Sequence, residues 1–170
     1  MTRRSAAAVE PLIRRRVFPS WSIAVPPGLN ETWVTEGGYW HAYADDRTIS
    51  LSSINLTDRG RPVPAPLILE QMEPSEGVPV TVMPPGLSGW AVTCPAPPNP
   101  VGAARMLSGM LATDGHVAIV TITTDDVAWA LDVWQSIRRH ADGATLARRD
   151  DACRTTRRRF PRRPAYNRGA

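Results

Sequence analysis

His41 is the side chain whose type and neighbours could support acid–base chemistry. It lies between Tyr39 and Tyr43 in an alternating aromatic stretch, and Asp45 and Asp46 follow closely. A histidine oriented by a carboxylate beside an aromatic platform could act as a general base. The alternation opposes this arrangement, because the aspartates belong to the next turn, where aspartate bonds local backbone. The pattern favours a structural role first, an aromatic binding face second and catalysis last.

The other reactive side chains form no catalytic or metal-binding pattern. The three histidines fall on separate predicted elements, with no His-x-x-His or Cys-x-x-Cys spacing. Cys94 has no arginine or histidine beside it in sequence that would favour a reactive thiolate. The chain lacks lysine, and so a Gly-x-x-x-x-Gly-Lys phosphate loop, and it lacks a Gly-x-Ser-x-Gly elbow. We therefore predict no catalytic residues, no metal and no cofactor, and an enzyme is the less favoured interpretation.

Arginine is concentrated at the two ends of the chain. Residues 1–16 carry five arginines and one glutamate, residues 141–170 carry nine arginines and three aspartates, and the segment between carries six arginines and twelve acids. The C-terminal tail has almost no apolar pattern, which predicts disorder and nonspecific contact with polyanions such as nucleic acid. The candidate residues are Arg157, Arg158, Arg159, Arg162 and Arg163. A solvated extension without function, an over-long gene model, or a tail folded onto the acidic domain stay open as alternatives.

Composition indicates a single domain in a reducing compartment. The chain has 170 residues, 42% of them hydrophobic, and all 20 basic side chains are arginine, which is typical of a GC-rich bacterial coding sequence. No apolar run reaches the roughly 18 residues of a membrane span. Cys94 and Cys153 have no predicted disulfide geometry between them. We therefore expect a cytoplasmic protein without membrane insertion.

The aromatic stretch predicts one arm of a hairpin. Residues 38–44 alternate aromatic and small side chains, residues 47–56 are rich in β-branched and hydroxyl residues, and Asp45-Asp46 lie between them. In the second arm the apolar parity switches near Ser53, which predicts a β-bulge.

A second hairpin follows a proline-rich crossing. Residues 104–113 and 116–123 flank Asp114-Gly115, a pair typical of a type I′ turn in which both central residues have positive φ. Thr123 or Thr124 is then predicted to cap a helix that runs to about His140. A shorter helix is predicted earlier, from Leu67 to Glu73.

Together these elements predict an α+β fold: a mostly antiparallel sheet built from hairpins, covered by a short middle helix and a longer C-terminal helix. The domain is expected at residues 18–140, between basic segments at 1–17 and 141–170 that are predicted to be disordered. Its predicted core includes Trp21, Trp40, Trp90, Ile119, Ile122, Leu131 and Trp134.

The order of elements resembles the PsbP-like α/β/α sandwich family over about residues 18–140. The resemblance depends on the opening strand followed by Pro-Pro-Gly at 25–29, the terminal hairpin, and the helix end at Trp134-Gln135-Ser136-Ile137. It implies a non-enzymatic binding module and transfers no functional residue.

The favoured functional hypothesis is therefore a non-catalytic binding or adaptor module for a protein partner, contacted through Tyr39, His41 and Tyr43. One alternative is a small-molecule-binding protein or enzyme with a pocket between the aromatic hairpin and the final helix. The other is a protein associated nonspecifically with nucleic acid through the arginine-rich tail.

Overall fold

The computed structural model describes residues 11–34 and 38–141, and half of these lie in strands. The strands are β1 (Ile13–Phe18), β2 (Trp21–Val25), β3 (Asn30–Val34), β4 (Tyr39–Tyr43), β5 (Arg47–Asn55), β6 (Thr57–Asp58), β7 (Arg61–Pro62), β8 (Val78–Pro79), β9 (Ser88–Pro95), β10 (Arg105–Thr113), β11 (His116–Thr124) and β12 (Arg138–Arg139). The helices are α1 (Ala65–Gln71) and α2 (Val127–Gln135).

The predicted α+β class is wrong, because the fold is mostly β with 12% helix. The main difference from the prediction is that the C-terminal helix is shorter. Its N-cap is Asp126 instead of Thr123 or Thr124, and it ends at Gln135. Beyond Ser136 the chain becomes strand β12, so Arg138 and Arg139 pair with β2 and do not extend the helix.

Seven strands form one antiparallel sheet in the order β3-β4-β5-β11-β10-β9-β8. The predicted aromatic hairpin is present as β4 and β5, and the second predicted hairpin as β10 and β11. Three further strands form a small sheet in the order β1-β2-β12, and β6 pairs with β7.

The predicted bulge at Ser53 is absent, since β5 pairs with β11 in unbroken register from Arg47 to Asn55. The parity switch has a different cause. Ile49 and Leu51 are buried on one face of the sheet, whereas Ile54 points to the other face, opposite Val117. Both faces of the sheet carry apolar side chains here, so alternation alone could not distinguish a bulge from two-sided packing.

The turn at Asp114-Gly115 is not type I′. Gly115 has φ +73°, but Arg59 is the non-glycine residue with positive φ among those described, so Asp114 lacks it. Arg59 (φ 48°) and Gly60 (φ 78°) instead give β6 and β7 the positive pair that a type I′ turn requires. Asp114 has another role, because its Oδ1 accepts the Ala65 N–H at the start of α1, at 2.9 Å.

The two faces of the large sheet are covered differently. On the inner face, α2 and the small sheet pack over Trp40, Ile49, Leu51 and their neighbours to form the main core. On the outer face, α1 inserts Ile68 against a smaller cluster that includes Met110 and covers only part of the sheet.

Four predicted core residues are fully buried, namely Trp21, Trp40, Ile122 and Trp134. The other three are partly buried at the margins of the two clusters: Trp90, Ile119 and Leu131. Among the described residues, neither helix is long and apolar enough to cross a membrane.

The predicted N-terminal extension at 1–17 is too long. Strand β1 begins at Ile13 and pairs with β2, and Val17 is buried in the main core. The run Arg14-Arg15-Arg16 predicted a disordered basic end, yet alternating residues of a strand point to opposite faces, so charged and buried positions can follow one another directly.

Candidate functional site

Tyr39, His41 and Tyr43 lie together on the outer face of the large sheet, and we call this surface the aromatic face. They occupy alternate positions of β4, so their side chains share one side of the strand. The half of the outer face that holds them is not the half against which α1 packs. Sequence alternation therefore predicted their common face, and the structure brings them together.

His41 is held by its neighbours in a fixed orientation. Its Nδ1 lies 2.8 Å from Ser50 Oγ on the adjacent strand β5, and its ring stacks on Tyr43 with centroids 5.5 Å apart. Partial burial lowers the pKa of His41 below its ordinary value of 6.5. The neutral form of this side chain is therefore favoured more strongly than in a free histidine.

The aromatic face borders a shallow depression of about 410 Å³. It is lined by Thr32, Val34, Tyr39, His41, Ser50 and Ser52. Its described residues combine aromatic rings with hydroxyl groups and include no carboxylate that could act with His41. Such a surface can make apolar and hydrogen-bonded contacts.

Strand β3 borders the aromatic face and is one edge of the large sheet. Four of its five residues are exposed, including Trp33, whose side chain is 53% accessible. The ring of Trp33 makes an edge contact with Phe18, a partly buried residue packed against the main core, with ring centroids 5.3 Å apart. Trp33 was not among the candidate site residues predicted from the sequence. The polar neighbours Asn30, Glu31 and Thr32 were the available signal that this strand is exposed.

A pocket was predicted between the aromatic hairpin and the final helix, but the aromatic side chains and that helix lie on opposite faces of the large sheet. Helix α2 packs on the inner face, against the side of β4 that carries Trp40 and Ala42, whereas the aromatic face is on the opposite side. A separate cleft of about 900 Å³ lies beside α2. It is lined by Leu12, Arg14, Arg47, Val82, Met83, Pro85, Asp126, Ala128, Trp129, Asp132, Gln135, Ser136 and Arg138.

Several polar groups in that cleft have structural partners. Asp126 Oδ1 accepts the Trp129 N–H as the N-cap of α2, Arg47 pairs with Asp46, and the guanidinium of Arg47 stacks over the ring of Trp129 at 4.7 Å. Among the described residues, no three His, Cys, Asp or Glu side chains are grouped so that they could hold a metal ion. The predicted polyanion-binding residues Arg157, Arg158, Arg159, Arg162 and Arg163 lie outside the described residues.

No family model and no curated protein matches the chain, so the resemblance to PsbP-like proteins stays a prediction. A solved structure from Bacteroides thetaiotaomicron VPI-5482, determined at 1.50 Å, is similar with 14% identity and a TM-score of 0.48. The match covers 72% of this chain but 46% of that one, so this chain spans less than half the length of the protein it matches. At that TM-score, no functional conclusion follows.

Proposed function

We propose that this domain is a non-catalytic binding module whose partner is a protein, docked on the aromatic face. The observation that carries the proposal is the shared face of Tyr39, His41 and Tyr43, against which α1 does not pack in the described part of the chain. Tyr43 is exposed there, and Tyr39 and His41 are partly exposed. Tyrosine supplies a large contact area at low entropic cost and is enriched in protein interfaces. The neutral state of His41 removes the desolvation cost that a charged group would add.

The neighbouring edge supports a partner segment in extended conformation. An edge strand presents unpaired backbone N–H and C=O groups to which another strand can add. The opposite edge of the same sheet, β8, is protected because it has two residues and one is Pro79. Strand β3 has five residues and no proline, so an added strand is favoured there. Side chains on one face of the added strand would lie beside the aromatic face, and those on its other face would lie beside Trp33.

We place the module in the cytoplasm, where a free thiol at Cys94 would remain reduced. Partner binding, in this proposal, requires no cofactor and no chemical step.

Affinity purification from the native host tests the proposal with two paired variants. The test variant is Tyr39→Ala/Tyr43→Ala, and the control is Leu67→Ala/Val78→Ala, which removes two exposed apolar side chains far from the aromatic face. We expect the wild type and the control to retain a stoichiometric protein partner. The tyrosine variant should bind at least about tenfold more weakly, which is about 1.4 kcal/mol, because buried interface aromatics dominate binding energy.

Two results would overturn the proposal. One is a partner retained equally by both variants. The other is the absence of any protein partner together with a co-purified small molecule. Trp33→Ala adds a separate test of the edge: reduced binding of the same partner supports strand addition at β3, whereas unchanged binding restricts the contact to the aromatic face.

A further inference from the structure

The cleft beside α2 follows one side of that helix along its whole length. Asp126, Trp129, Asp132 and Gln135 line it at intervals of three residues, and such spacing places side chains on one side of a helix. With about 1.5 Å of rise per residue, the stripe from Asp126 to Ser136 is about 15 Å long. The cleft volume of about 900 Å³ lies within the range of about 300–1,000 Å³ that is usual for small-molecule sites.

Two arginines meet at the end of the cleft where α2 finishes. Arg14 is on β1 and Arg138 is on β12, so they reach this end from the two strands that flank β2. Arg14 Nη1 donates to the Ser136 carbonyl at 2.9 Å. Arg138 Nη1 donates to the carbonyls of Gln135 and Ile137 at 2.6 and 2.7 Å. These acceptors belong to consecutive residues, so the two guanidinium groups lie close together.

The surroundings hold this end of the cleft in place. Arg14 Nη1 also donates to Ser22 Oγ, at 3.1 Å, which ties the side chain to the middle strand of the small sheet. Ser136 Oγ accepts the Ala24 N–H at 2.8 Å, and this bond ties the end of α2 to the same strand. Groups that are already fixed lose little freedom when a ligand binds, so less of the binding energy is spent on ordering them.

The charges of Arg14 and Arg138 are available to a ligand. In the part of the chain that the structure describes, no carboxylate lies within ion-pair distance of either guanidinium. The carbonyls at a helix C-terminus carry about half an elementary negative charge, which is less than the two positive charges beside them. Each guanidinium has five N–H donors, and the bonds described above involve only Nη1. This end of the cleft therefore has a net positive charge and unused donors.

Apolar side chains form another part of the lining. They belong to Leu12, Val82, Met83 and Pro85. Val82 is 48% accessible, and its backbone carbonyl accepts the indole N–H of Trp134 at 3.0 Å, which holds this segment beside α2. Accessible apolar surface next to a fixed positive charge is complementary to a molecule that has an apolar body and an acidic group.

Two carboxylates limit the charge that such a ligand can carry. Asp126 and Asp132 are exposed residues of the helical stripe. Asp132 lies four residues, or about one helical turn, before Ser136, the residue to which Arg14 is bonded. A second negative charge on a ligand that extends from the arginines along α2 would approach Asp132 and be repelled. A phosphate monoester, with a charge of about −2, is disfavoured for the same reason.

We propose that this cleft is a binding site for a small monocarboxylic acid with an apolar body. The carboxylate accepts hydrogen bonds from Arg14 and Arg138, because planar guanidinium groups match carboxylate geometry. The body lies along α2 against the apolar lining. This site does not rest on the proposed function, since α2 and the aromatic face lie on opposite faces of the large sheet.

Binding of hexanoate to the full chain, followed by NMR through the indole N–H signal of Trp129, tests the proposal. We expect a Kd on the order of millimolar, because the probe has few atoms. The signal of Trp33, which lies outside the cleft, should not shift. Hexanol has the same body without the charge, so it should bind at least about tenfold more weakly. Adipate, which adds a second carboxylate to a chain of the same length, should also bind more weakly than hexanoate.

A pair of double variants tests the role of the arginines. Arg14→Gln/Arg138→Gln should weaken hexanoate binding by at least about tenfold, because it removes the charged donors. The matched control, Arg61→Gln/Arg105→Gln, removes two exposed arginines from strands outside the cleft and should bind hexanoate as the wild type does.

A substitution at Asp132 covers the case in which the double arginine variant does not fold. Asp132 is exposed, and Asp132→Asn should narrow the preference for hexanoate over adipate, because it removes the repulsion of the second charge. Asp58→Asn, in the exposed strand β6, is the control and should leave the preference unchanged.

Four results would overturn the proposal. The first is a Trp129 signal that stays unchanged in about 50 mM hexanoate, well above the expected Kd. The second is equal binding of hexanoate and hexanol, and the third is adipate binding as tight as that of hexanoate. The fourth is hexanoate binding by a folded Arg14→Gln/Arg138→Gln variant that equals binding by the arginine control.

Discussion

The two halves of the outer sheet face have similar strands but different surroundings. At one half, α1 covers Met110, Ala112 and Val117, and these side chains are buried with Ile68. At the other half, Tyr39, His41 and Tyr43 alternate just as regularly along β4, and neither of the two described helices lies over them. Alternation therefore shows which side chains share a face, and only the covering element decides whether that face is core or surface. The comparison can be tested by substitutions in α1, in Asp114, which caps α1, and in the aromatic face.

The largest expected effect comes from weakening the cover itself. Ile68→Ala should lower the free energy of unfolding by about 2–5 kcal/mol, because it leaves a cavity in a buried apolar cluster. Leu67→Ala is the matched control on the same helix: its side chain is exposed, so we expect a change within about 0.5 kcal/mol. Urea unfolding measures both. Equal effects of the two substitutions on the free energy of unfolding would show that packing of α1 on the sheet does not bury Ile68.

The difference between the halves also explains how much the sequence could predict. Hairpin pairing and the common face of Tyr39, His41 and Tyr43 follow from local alternation and turn residues, so they were accessible. The structural class was not, because the length of α2 depends on pairing of Arg138 and Arg139 with β2, more than 110 residues earlier in the chain. Such long-range contacts leave no local periodic signal.

The small sheet was inaccessible for the same reason. Arg14 and Arg16 were predicted to belong to a disordered end, and Arg138 and His140 to a helix terminus. Only the joint pairing of β1 and β12 with β2 brings them together. The exposed Trp33 was missed differently: tryptophan is usually buried, and this expectation outweighed the polar residues next to Trp33 in β3.

A smaller effect is expected from the attachment of the cover. The N-cap residue of α1, Pro64, has no side chain that can accept a hydrogen bond. Asp114, in the β10–β11 turn, instead accepts a hydrogen bond from the Ala65 N–H. Asp114→Ala should therefore lower the free energy of unfolding by about 1 kcal/mol, as loss of a helix cap does. Asp58→Ala, in the exposed strand β6, is the control and should have almost no effect. If the two variants unfold at the same urea concentration, Asp114 contributes nothing to holding α1.

The smallest expected effect is on the pH dependence of the free energy of unfolding, and it tests the aromatic face. Burial lowers the pKa of His41 in the folded state below its ordinary value of 6.5, so the unfolded chain binds more protons in the interval between the two values. The contribution of His41 to stability is therefore fully present above pH 6.5 and is lost as the pH falls through the lowered value. His140 has a pKa shift in the same direction, so the wild-type curve contains both contributions. Unfolding free energies of wild type, His41→Gln and His140→Gln between pH 5 and 8 separate them: the His41→Gln curve should fall less steeply on acidification than that of the wild type. An identical pH dependence for wild type and His41→Gln would mean that His41 is as solvated in the folded protein as in the unfolded chain. Every side chain of the aromatic face, His41 included, would then differ from the side chains that α1 buries.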